Sequence, residues 1–353
     1  MGSDNRYIIK LLLFGKALVI ILAVIGYALL LVGCSRHIVT IPKELELSYT
    51  CGCEYGFYNA SIVYTKSSVF YDPQLYVEND EGKKRIIGSP NSWGTIHSDI
   101  QISKSQLLFA AHNDDYTTFL SYDLNSENIE ECGMVPGYVS SWYRQGDTYY
   151  CLTDYNLETD TCQSQRLVCL DVTDKSITII DDSVCAFFIS SEETWYARKT
   201  ETGYSVLKTN HTSEKEVILS INLIHTDFQI VELTDEIFMV YDYEGGNLYL
   251  LDKDNEIELP TNMCSSLIYQ DKVYYVVEEQ TDEELTEQLY CLYCKDGESK
   301  LIMNGLKVPD LICATTDGKI LLQQIKGNYS TTRTLSLIGE EGDEMIIWTS
   351  PEK

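Results

Sequence analysis

The runs Ile237-Phe238-Met239-Val240-Tyr241 and Leu248-Tyr249-Leu250-Leu251 decide the fold of this 353-residue chain. Aromatic and β-branched residues of this kind suit a pleated, half-buried strand. Between the runs lies Glu244-Gly245-Gly246-Asn247, where glycine and asparagine tolerate the positive φ angles of a tight reversal. A third run, Glu256-Ile257-Glu258-Leu259, alternates charged and apolar residues before Pro260. The segment therefore predicts an antiparallel three-stranded meander.

The same pattern recurs seven times along the chain. A pair of strand-forming residues opens the second strand of each unit, at spacings of 36 to 47 residues with a mean of 43. The pairs are Ile62-Val63, Leu107-Leu108, Thr148-Tyr149, Thr194-Trp195, Ile237-Phe238, Val273-Tyr274 and Ile320-Leu321. An independent anchor in the third strand recurs with the same mean spacing, at Leu75, Phe119, Leu167, Tyr204, Leu248, Leu289 and Thr334. A repeat unit of roughly 40 to 45 residues that contains four short strands is typical of a propeller blade.

The repeats predict an all-β, seven-bladed β-propeller preceded by one hydrophobic helix. Six or eight blades remain possible because the first and last copies are the weakest. A helical solenoid is disfavoured, since no convincing 3.6-residue periodicity follows Cys34. We expect Glu44 to Leu47 to add to the last blade beside Glu344 to Trp348 and help to close the ring.

This degenerate repeat resembles the propellers of the YWTD and quinoprotein-like repeat classes over about 300 residues. No copy carries an intact Tyr-Trp-Thr-Asp or a quinone-site signature. The resemblance implies the fold and leaves the function open, since propellers host both enzymes and pure binders.

The amino-terminal end predicts a membrane segment. Ala17 to Gly33 is an uncharged apolar run, and it is long enough to cross a hydrocarbon core of roughly 30 Å. The basic residues Arg6, Lys10 and Lys16 precede it, which predicts a cytoplasmic amino terminus and an exported bulk. The run ends in Leu31-Val32-Gly33-Cys34, which resembles the lipobox of bacterial lipoprotein precursors. That resemblance implies cleavage before Cys34 and lipidation of its thiol.

Two interpretations of this end stay open, a cleaved signal peptide with a lipidated Cys34 and an uncleaved anchor helix. Both divide the chain into a signal peptide or membrane anchor at 1–34, a short linker at 35–43 and the propeller at 44–353. Both also place the protein on the outer face of a bacterial cytoplasmic membrane, with the membrane itself as a partner.

The formal net charge of −28 argues against nucleic acid as a partner, because such a surface repels phosphate backbones. It could favour cationic ligands or loosely held calcium. The segment Asp252-x-Asp254-x-Glu256 begins like a calcium loop, but Ile257 replaces the required glycine. We therefore predict no cofactor and no metal site, with calcium as a weak possibility.

The chain contains 12 cysteines, several of which recur at one position of the repeat. A small, fairly apolar residue repeated in this way favours packing over disulfides or metal binding. Cys151 and Cys169 fall on neighbouring strands of one unit and form the predicted disulfide candidate. Cys291 and Cys294 have zinc spacing, but residues three apart in a strand point to opposite faces.

The sequence carries none of the common catalytic signatures: no Gly-x-Ser-x-Gly, His-Glu-x-x-His, Walker loop or Gly-x-Gly-x-x-Gly is present. A propeller pocket usually lies at the axial mouth, between the loops that lead into the first strands and those that join the second and third strands. The candidate ligand-binding residues in these loops are Trp93, Tyr138, His225, Asp310, His112, Tyr155 and Asn247. The aromatic ones could stack on sugars or peptide side chains.

The predicted function is a non-catalytic binding or scaffolding module whose partner is an extracytoplasmic protein or a glycan. One alternative is a glycan-active or other hydrolytic enzyme with carboxylates at the propeller mouth, and another is an envelope-assembly lipoprotein. Two carboxylates within about 5 to 10 Å of each other in the mouth would favour the enzyme.

Replacement of Cys34 by Ser is expected to abolish incorporation of a fatty-acid probe, because the thiol is the lipid acceptor in the lipoprotein interpretation. Metabolic labelling followed by gel fluorescence measures this, with Cys264→Ser as a control that keeps its label. Unchanged labelling of the Cys34→Ser variant would rule out lipidation at this residue.

Overall fold

The computed structural model describes residues 38–49, 52–68, 71–87, 94–154, 165–191, 193–210, 214–222, 229–242, 244–252, 255–280, 285–326 and 332–350. The apolar run and Cys34 lie outside these ranges, so the anchor and its lipidation stay predictions. Among the described residues no helix is long and apolar enough to span a membrane. All regular elements in those ranges are β-strands, which confirms the all-β prediction.

In chain order the strands are β1 (Leu47–Ser48), β2 (Tyr55–Tyr58), β3 (Ser61–Ser68), β4 (Tyr71–Asn79), β5 (Gly82–Ile87), β6 (Thr95–Ser103), β7 (Gln106–His112), β8 (Tyr116–Asp123), β9 (Ile129–Pro136), β10 (Tyr138–Gln145), β11 (Thr148–Asp154), β12 (Gln165–Asp171), β13 (Ile177–Ile189), β14 (Thr194–Lys199), β15 (Gly203–Thr209), β16 (Lys215–Asn222), β17 (Ile230–Leu233), β18 (Ile237–Asp242), β19 (Gly245–Leu250), β20 (Asn255–Leu259), β21 (Met263–Tyr269), β22 (Lys272–Gln280), β23 (Leu285–Tyr293), β24 (Glu298–Leu306), β25 (Pro309–Thr315), β26 (Ile320–Lys326), β27 (Thr332–Ile338) and β28 (Glu344–Thr349).

Consecutive strands pair antiparallel in sets of four. Separate four-stranded sheets are formed by β2–β5, β6–β9, β17–β20 and β21–β24. A fifth set, β25–β28, gains β1 beside β25, whereas β10–β16 form one seven-stranded sheet. That sheet is continuous because the 13-residue β13 ends one set and begins the next. Every predicted second-strand pair lies in the second strand of a set, so the predicted register of the repeat is confirmed.

The meander on which the prediction rested is formed by β18, β19 and β20. Its first turn pairs Asp242 with Gly245, and Gly245 has a φ of 119°. A Cβ on Gly246 would lie 2.3 Å from the carbonyl oxygen of Val240, so a glycine is required for the two strands to approach. The reversal thus depends on both glycines, as the sequence indicates.

The first strands of the sets line a central channel. Residues of β10, β13, β17, β21 and β25, together with Cys53, surround a cavity of about 390 Å³. The strand edge that faces this channel is called the inner edge. The first strands all begin at one end of the channel, and this end is called the mouth. The space enclosed by this cavity is called the axial cavity.

Apolar faces of successive sheets pack against each other around the channel. Between β6–β9 and β10–β13, for example, the Phe119 and Tyr149 rings stack at 4.3 Å and Trp142 lies 5.8 Å from Phe119. All three side chains are fully buried. Burial of each such side chain stabilises the fold by about 2 to 3 kcal/mol, so the sheets hold one another.

The first and last sheets close on each other through one mixed core. Tyr55 and Tyr64 of the first sheet pack with Trp348 of the last, with Tyr64 and Trp348 ring centroids 5.1 Å apart. Glu78 is buried between them and accepts hydrogen bonds from the Tyr64 hydroxyl at 2.8 Å and the Trp348 indole at 3.3 Å. A buried carboxylate needs such donors, so the junction orders both sheets.

The amino-terminal segment crosses the last sheet from edge to edge. Val39 bridges Trp348 on the outer edge, where the Thr40 amide donates to Ile347 at 2.8 Å. Leu47 and Ser48 then pair with β25 on the inner edge. The expectation that residues 44–47 pair beside β28 is therefore wrong, because 38–40 already occupy that edge. Residues 38–40 of the predicted linker thus lie beside β28, and Ile41 packs in the core shared by the first and last sheets.

The predicted disulfide between Cys151 and Cys169 is wrong, and both thiols are free. Cys151 pairs with Val168 and Cys169 with Tyr150, so the two cysteines are one residue out of register. Their side chains consequently project from opposite faces of the sheet. Cys151 packs in the core with Trp142, whereas Cys169 lies against the neighbouring core.

Trp348→Ala is expected to lower the free energy of unfolding by about 3 to 5 kcal/mol, because Trp348 is 2% exposed and holds the first and last sheets together. Urea denaturation followed by far-ultraviolet circular dichroism measures this. Met345→Ala on the same strand is the control, since Met345 is 41% exposed and should cost less than about 0.5 kcal/mol. Equal losses for both variants would contradict closure through Trp348.

Candidate functional site

The inner strands carry β-bulges on the side of the mouth. Register shifts interrupt the pairing of five first strands with their second strands, between Ile96/Ile100, Val139/Ser141, Val184/Ala186, Met263/Ser265 and Leu311/Cys313. A bulge turns a side chain out of the regular alternation, and bulges are frequent beside active sites. The mouth is therefore the place where side chains are directed away from the sheet cores.

The widest bulge brings two carboxylates together. Cys53 and Ile100 exchange backbone hydrogen bonds of 3.1 and 2.7 Å, and this bridge sets Glu54 and Asp99, the next residues on each side, beside each other. Directly opposed residues on paired segments have Cβ atoms about 5 Å apart. At this spacing the negative charge of Asp99 contributes to the raised pKa of Glu54.

Burial raises the pKa of Asp99 to about 6, although the Ser98 hydroxyl donates to its carboxylate at 3.2 Å. Burial also raises the pKa of Glu54, and the negative charges of Asp99 and Asp310 act in the same direction. Arg333 opposes this effect, since its Nη1 lies 3.7 Å from Glu54 Oε2. Among the residues that the structure describes, a cation pairs with Glu54 and none pairs with Asp99, so the two neighbouring acids differ in environment.

Asp310 completes what we call the mouth cluster, which consists of Glu54, Asp99 and Asp310. Its carboxylate accepts a hydrogen bond from Ser265 at 3.2 Å, and burial raises its pKa. Asp99 and Asp310 lie in two different sheets and Glu54 directly precedes the first strand of a third, so the three carboxylates converge only when the sheets are assembled. Among the described residues no set of three or more His, Cys, Asp or Glu side chains is arranged to hold a metal ion.

Gly52 is required beside this cluster. A Cβ at Gly52 would lie 2.8 Å from the Cβ of Asp99, and the Gly52 amide donates to the Trp142 carbonyl at 2.9 Å. Any larger residue would displace Asp99 or the backbone bridge. Gly52 therefore allows the amino-terminal segment to approach the second and third sheets closely.

An aromatic group borders the mouth cluster on one side. The Tyr138 ring lies 5.2 Å from His97 and 5.0 Å from His112, and Tyr138 is 39% exposed. Burial lowers the pKa of both histidines, so neutral imidazoles are favoured. Asp99 is near enough that its charge contributes to the raised pKa of Tyr138. A flat, partly exposed ring thus stands next to an acid.

A further carboxylate lies deeper, on the wall of the axial cavity. Ser266 donates a hydrogen bond to Glu232, and the Ser266 and Tyr241 hydroxyls are 2.8 Å apart. Glu232 faces the cavity rather than bulk solvent, and this burial raises its pKa to about 6. Cys53, Cys185 and Cys313 line the same cavity, so the repeated cysteines face the channel as well as the sheet cores.

The predicted site residues divide into three groups. His112, Tyr138 and Asp310 lie at the mouth, where they were expected. Trp93, Tyr155 and His225 lie outside the described residues, so their placement stays a prediction. Asn247 is the misplaced residue: the turn before it is so short that it lies inside β19, opposite Glu258 of the edge strand β20, with its amide 3.4 Å from Tyr249 Oη.

The sequence reasoning missed Glu54, Asp99 and Glu232. Each is a single acid in or beside a strand, and the sequence pattern there predicts only an ordinary solvent-exposed side chain. One signal was available, because His97-Ser98-Asp99 interrupts the apolar alternation on which Ile96, Ile100 and Ile102 lie. Such an interruption indicates a bulge. It does not indicate which neighbouring segment lies opposite the bulged residues.

Solved structures of similar shape identify the fold. The acylaminoacyl peptidase of Pyrococcus horikoshii matches with a TM-score of 0.55 at 12% identity, over 89% of this chain and 52% of the peptidase. The β-propeller domain of the trilobed protease of Pyrococcus furiosus matches at 0.50 and 12% identity, over 87% of this chain and 97% of that domain. The oligogalacturonate lyase of Vibrio parahaemolyticus matches at 0.52 and 11% identity, over 82% and 93%. The fold is therefore that of a β-propeller.

The chain spans about half the length of the acylaminoacyl peptidase that it matches. No protein-family profile and no curated protein sequence matches the chain. The resemblance to YWTD and quinoprotein-like repeats and to lipoproteins thus gains no support from sequence comparison.

The prediction of a non-catalytic scaffolding module is wrong. The similar structures are acylaminoacyl peptidases, a prolyl endopeptidase and an oligogalacturonate lyase, which are enzymes that contain this fold. At 11 to 14% identity the likeness itself extends to the fold alone. The mouth cluster supplies candidate residues for the enzyme alternative.

Asp99→Asn is expected to stabilise the protein at pH 7.5, by an amount on the order of 1 kcal/mol after allowance for solvent screening. The pKa of Asp99 is raised from 3.8 to about 6, so the folded state favours the protonated carboxyl group. The contribution of Asp99 to the free energy of unfolding is therefore fully present below pH 3.8 and is lost as the pH rises through 6. Urea denaturation at pH 4 and pH 7.5 measures the difference. Asp80→Asn, in the exposed turn before β5, is the control, and an equal gain there would contradict a buried Asp99 charge.

Proposed function

We propose that the chain is an acid–base enzyme that cleaves a glycan at the propeller mouth. The observation that carries this proposal is the pairing of Glu54 and Asp99 by the Cys53–Ile100 bridge. Glycoside cleavage uses two carboxyl groups on either side of the bond, one protonated and one ionised. Neighbouring acids in unequal environments meet that requirement.

Asp99 acts as the general acid. Burial raises its pKa to about 6, so a substantial fraction of the Asp99 side chains stays protonated in mildly acidic solution. Each protonated carboxyl group can donate its proton to the leaving oxygen. Glu54 acts as the base or nucleophile: burial raises its pKa as well, but Arg333 at 3.7 Å opposes this rise and attracts the ionised carboxylate. Asp310 keeps the local field negative, which stabilises the positive charge that develops on the sugar ring.

Tyr138, with His97 and His112 beside it, provides the surface on which a sugar ring stacks. Its ring is partly exposed and adjoins Asp99. Sugar rings have apolar faces that pack well against aromatic side chains. A stacking surface beside two acids supports a glycan as the substrate.

The architecture that we propose for the whole chain is a seven-bladed ring, with the seven sets of strands as blades and β13 shared by two of them. Residues 1–34 serve as a signal peptide or membrane anchor, with Cys34 as the lipid acceptor if the segment is cleaved. The propeller then lies on the extracytoplasmic face of the membrane, where glycans are accessible. The motivation is the apolar run at 17–33 and the basic residues before it.

Asp99→Asn and Glu54→Gln are each expected to lower kcat at least about 100-fold, because each removes one partner of the acid–base pair. Release of reducing ends from a panel of polysaccharides by the full-length protein in detergent measures this. Activity of the wild type should fall as the pH rises above about 6, where Asp99 loses its proton.

Asp80→Asn controls for a general loss of negative charge and should keep wild-type activity. Two results would overturn the proposal: cleavage of no glycan in the panel, or full activity of the Asp99→Asn variant. The Asp99→Asn variant could also lose activity and keep the pH–activity profile of the wild type. That result would assign Asp99 a structural role instead.

A further inference from the structure

The axial cavity lies directly beneath the mouth cluster. Cys53 precedes Glu54 and Leu311 follows Asp310, and both residues line the cavity. Its volume of about 390 Å³ accommodates a small organic group. A substrate bound at the mouth can therefore extend part of its structure into this space.

Glu232 is the one acidic or basic side chain among the described residues that line the axial cavity. Its hydrogen-bond partner Ser266 and the adjoining Tyr241 are neutral hydroxyls, so they orient the carboxylate without neutralising it. Its charge has no cationic partner within the lining. Glu232 is only partly exposed, so water screens its charge less than it screens a surface carboxylate, and a cation in the cavity would be attracted to it.

The rest of the cavity wall is largely apolar. Most of its lining side chains are apolar, among them Leu152, Phe187, Leu233, Leu267, Ile268 and Leu311. An anion would be repelled by Glu232, and a purely apolar ligand would leave the carboxylate unpaired. A cationic group on a short carbon framework satisfies both parts of the wall, since its charge meets Glu232 and its carbons meet the leucines.

We propose that the axial cavity binds an ammonium group carried on a small carbon framework, with Glu232 as the residue that selects it. This inference rests on the proposed function in one respect: it makes the substrate of the mouth cluster an amine-bearing glycan. The net charge of −28 supports it, because a negative surface concentrates cations at the mouth. The ammonium–carboxylate contact in an enclosed site is stronger than a contact between neutral groups.

The test compares n-butylamine with n-butanol, which has the same carbon chain and no charge. Calorimetric titration of the full-length protein in detergent at pH 7.5 gives the Kd of each. The amine is expected to bind at least about tenfold more tightly than the alcohol. Equal binding of the two probes would overturn the proposal, and this measurement uses the wild type, so it does not depend on the folding of a variant.

Glu232→Gln removes the charge and keeps the shape, so it should weaken n-butylamine binding about tenfold and leave n-butanol binding unchanged. Glu258→Gln is the matched control, because Glu258 lies exposed on β20 of the same sheet and should leave both affinities unchanged. Unchanged amine binding by a folded Glu232→Gln variant would overturn the role of Glu232.

Amine binding and catalysis can fail separately. The Asp99→Asn variant should lose glycan cleavage and still bind n-butylamine, because Asp99 does not line the axial cavity. Amine binding without glycan cleavage by the wild type would overturn the proposed enzyme and keep the amine site. Glycan cleavage with no preference for amine-bearing polymers over neutral ones would overturn the amine site as a substrate pocket.

Discussion

The structure depends on the closure of the first sheet against the last. Each sheet has two apolar faces. Between sheets that follow each other in the chain, the facing apolar surfaces bury each other. The two end sheets have no sequential neighbour on one side, so they must cover each other. Tyr64, Glu78 and Trp348 meet at that junction, where a buried carboxylate joins donors from both sheets. Without this contact a large apolar surface would face water.

Closure also builds the mouth. The amino-terminal segment first pairs with β28 on the outer edge, then with β25 on the inner edge, and then reaches the second and third sheets at Cys53 and Gly52. Glu54 follows directly, beside Asp99. The backbone path that holds the ring together is therefore the path that places one of the two proposed catalytic acids. Stability of the ring and geometry of the site are properties of one segment.

The acids of the mouth and cavity work against the stability of the fold. Burial raises the pKa values of Asp99 and Glu232, which means that the folded state disfavours their charged forms. A chain selected for stability alone would place neutral residues there. Retention of enclosed carboxylates in a channel is typical of a site that uses their charge or their proton. The same feature supports both acid–base chemistry at the mouth and cation binding below it.

The sequence by itself determined the repeat. Strand residues, tight turns such as that at Gly245 and Gly246, and the anchor pairs are local properties, so they predicted the second and third strands of every set. It also indicated His112, Tyr138 and Asp310 as residues of the mouth. Only the tertiary structure decided that Glu54 meets Asp99, that Val39 pairs with Trp348 and that Cys151 and Cys169 face apart. Bulges and pairing register depend on neighbouring strands that are distant in the chain, and a one-residue shift reverses the face of a side chain.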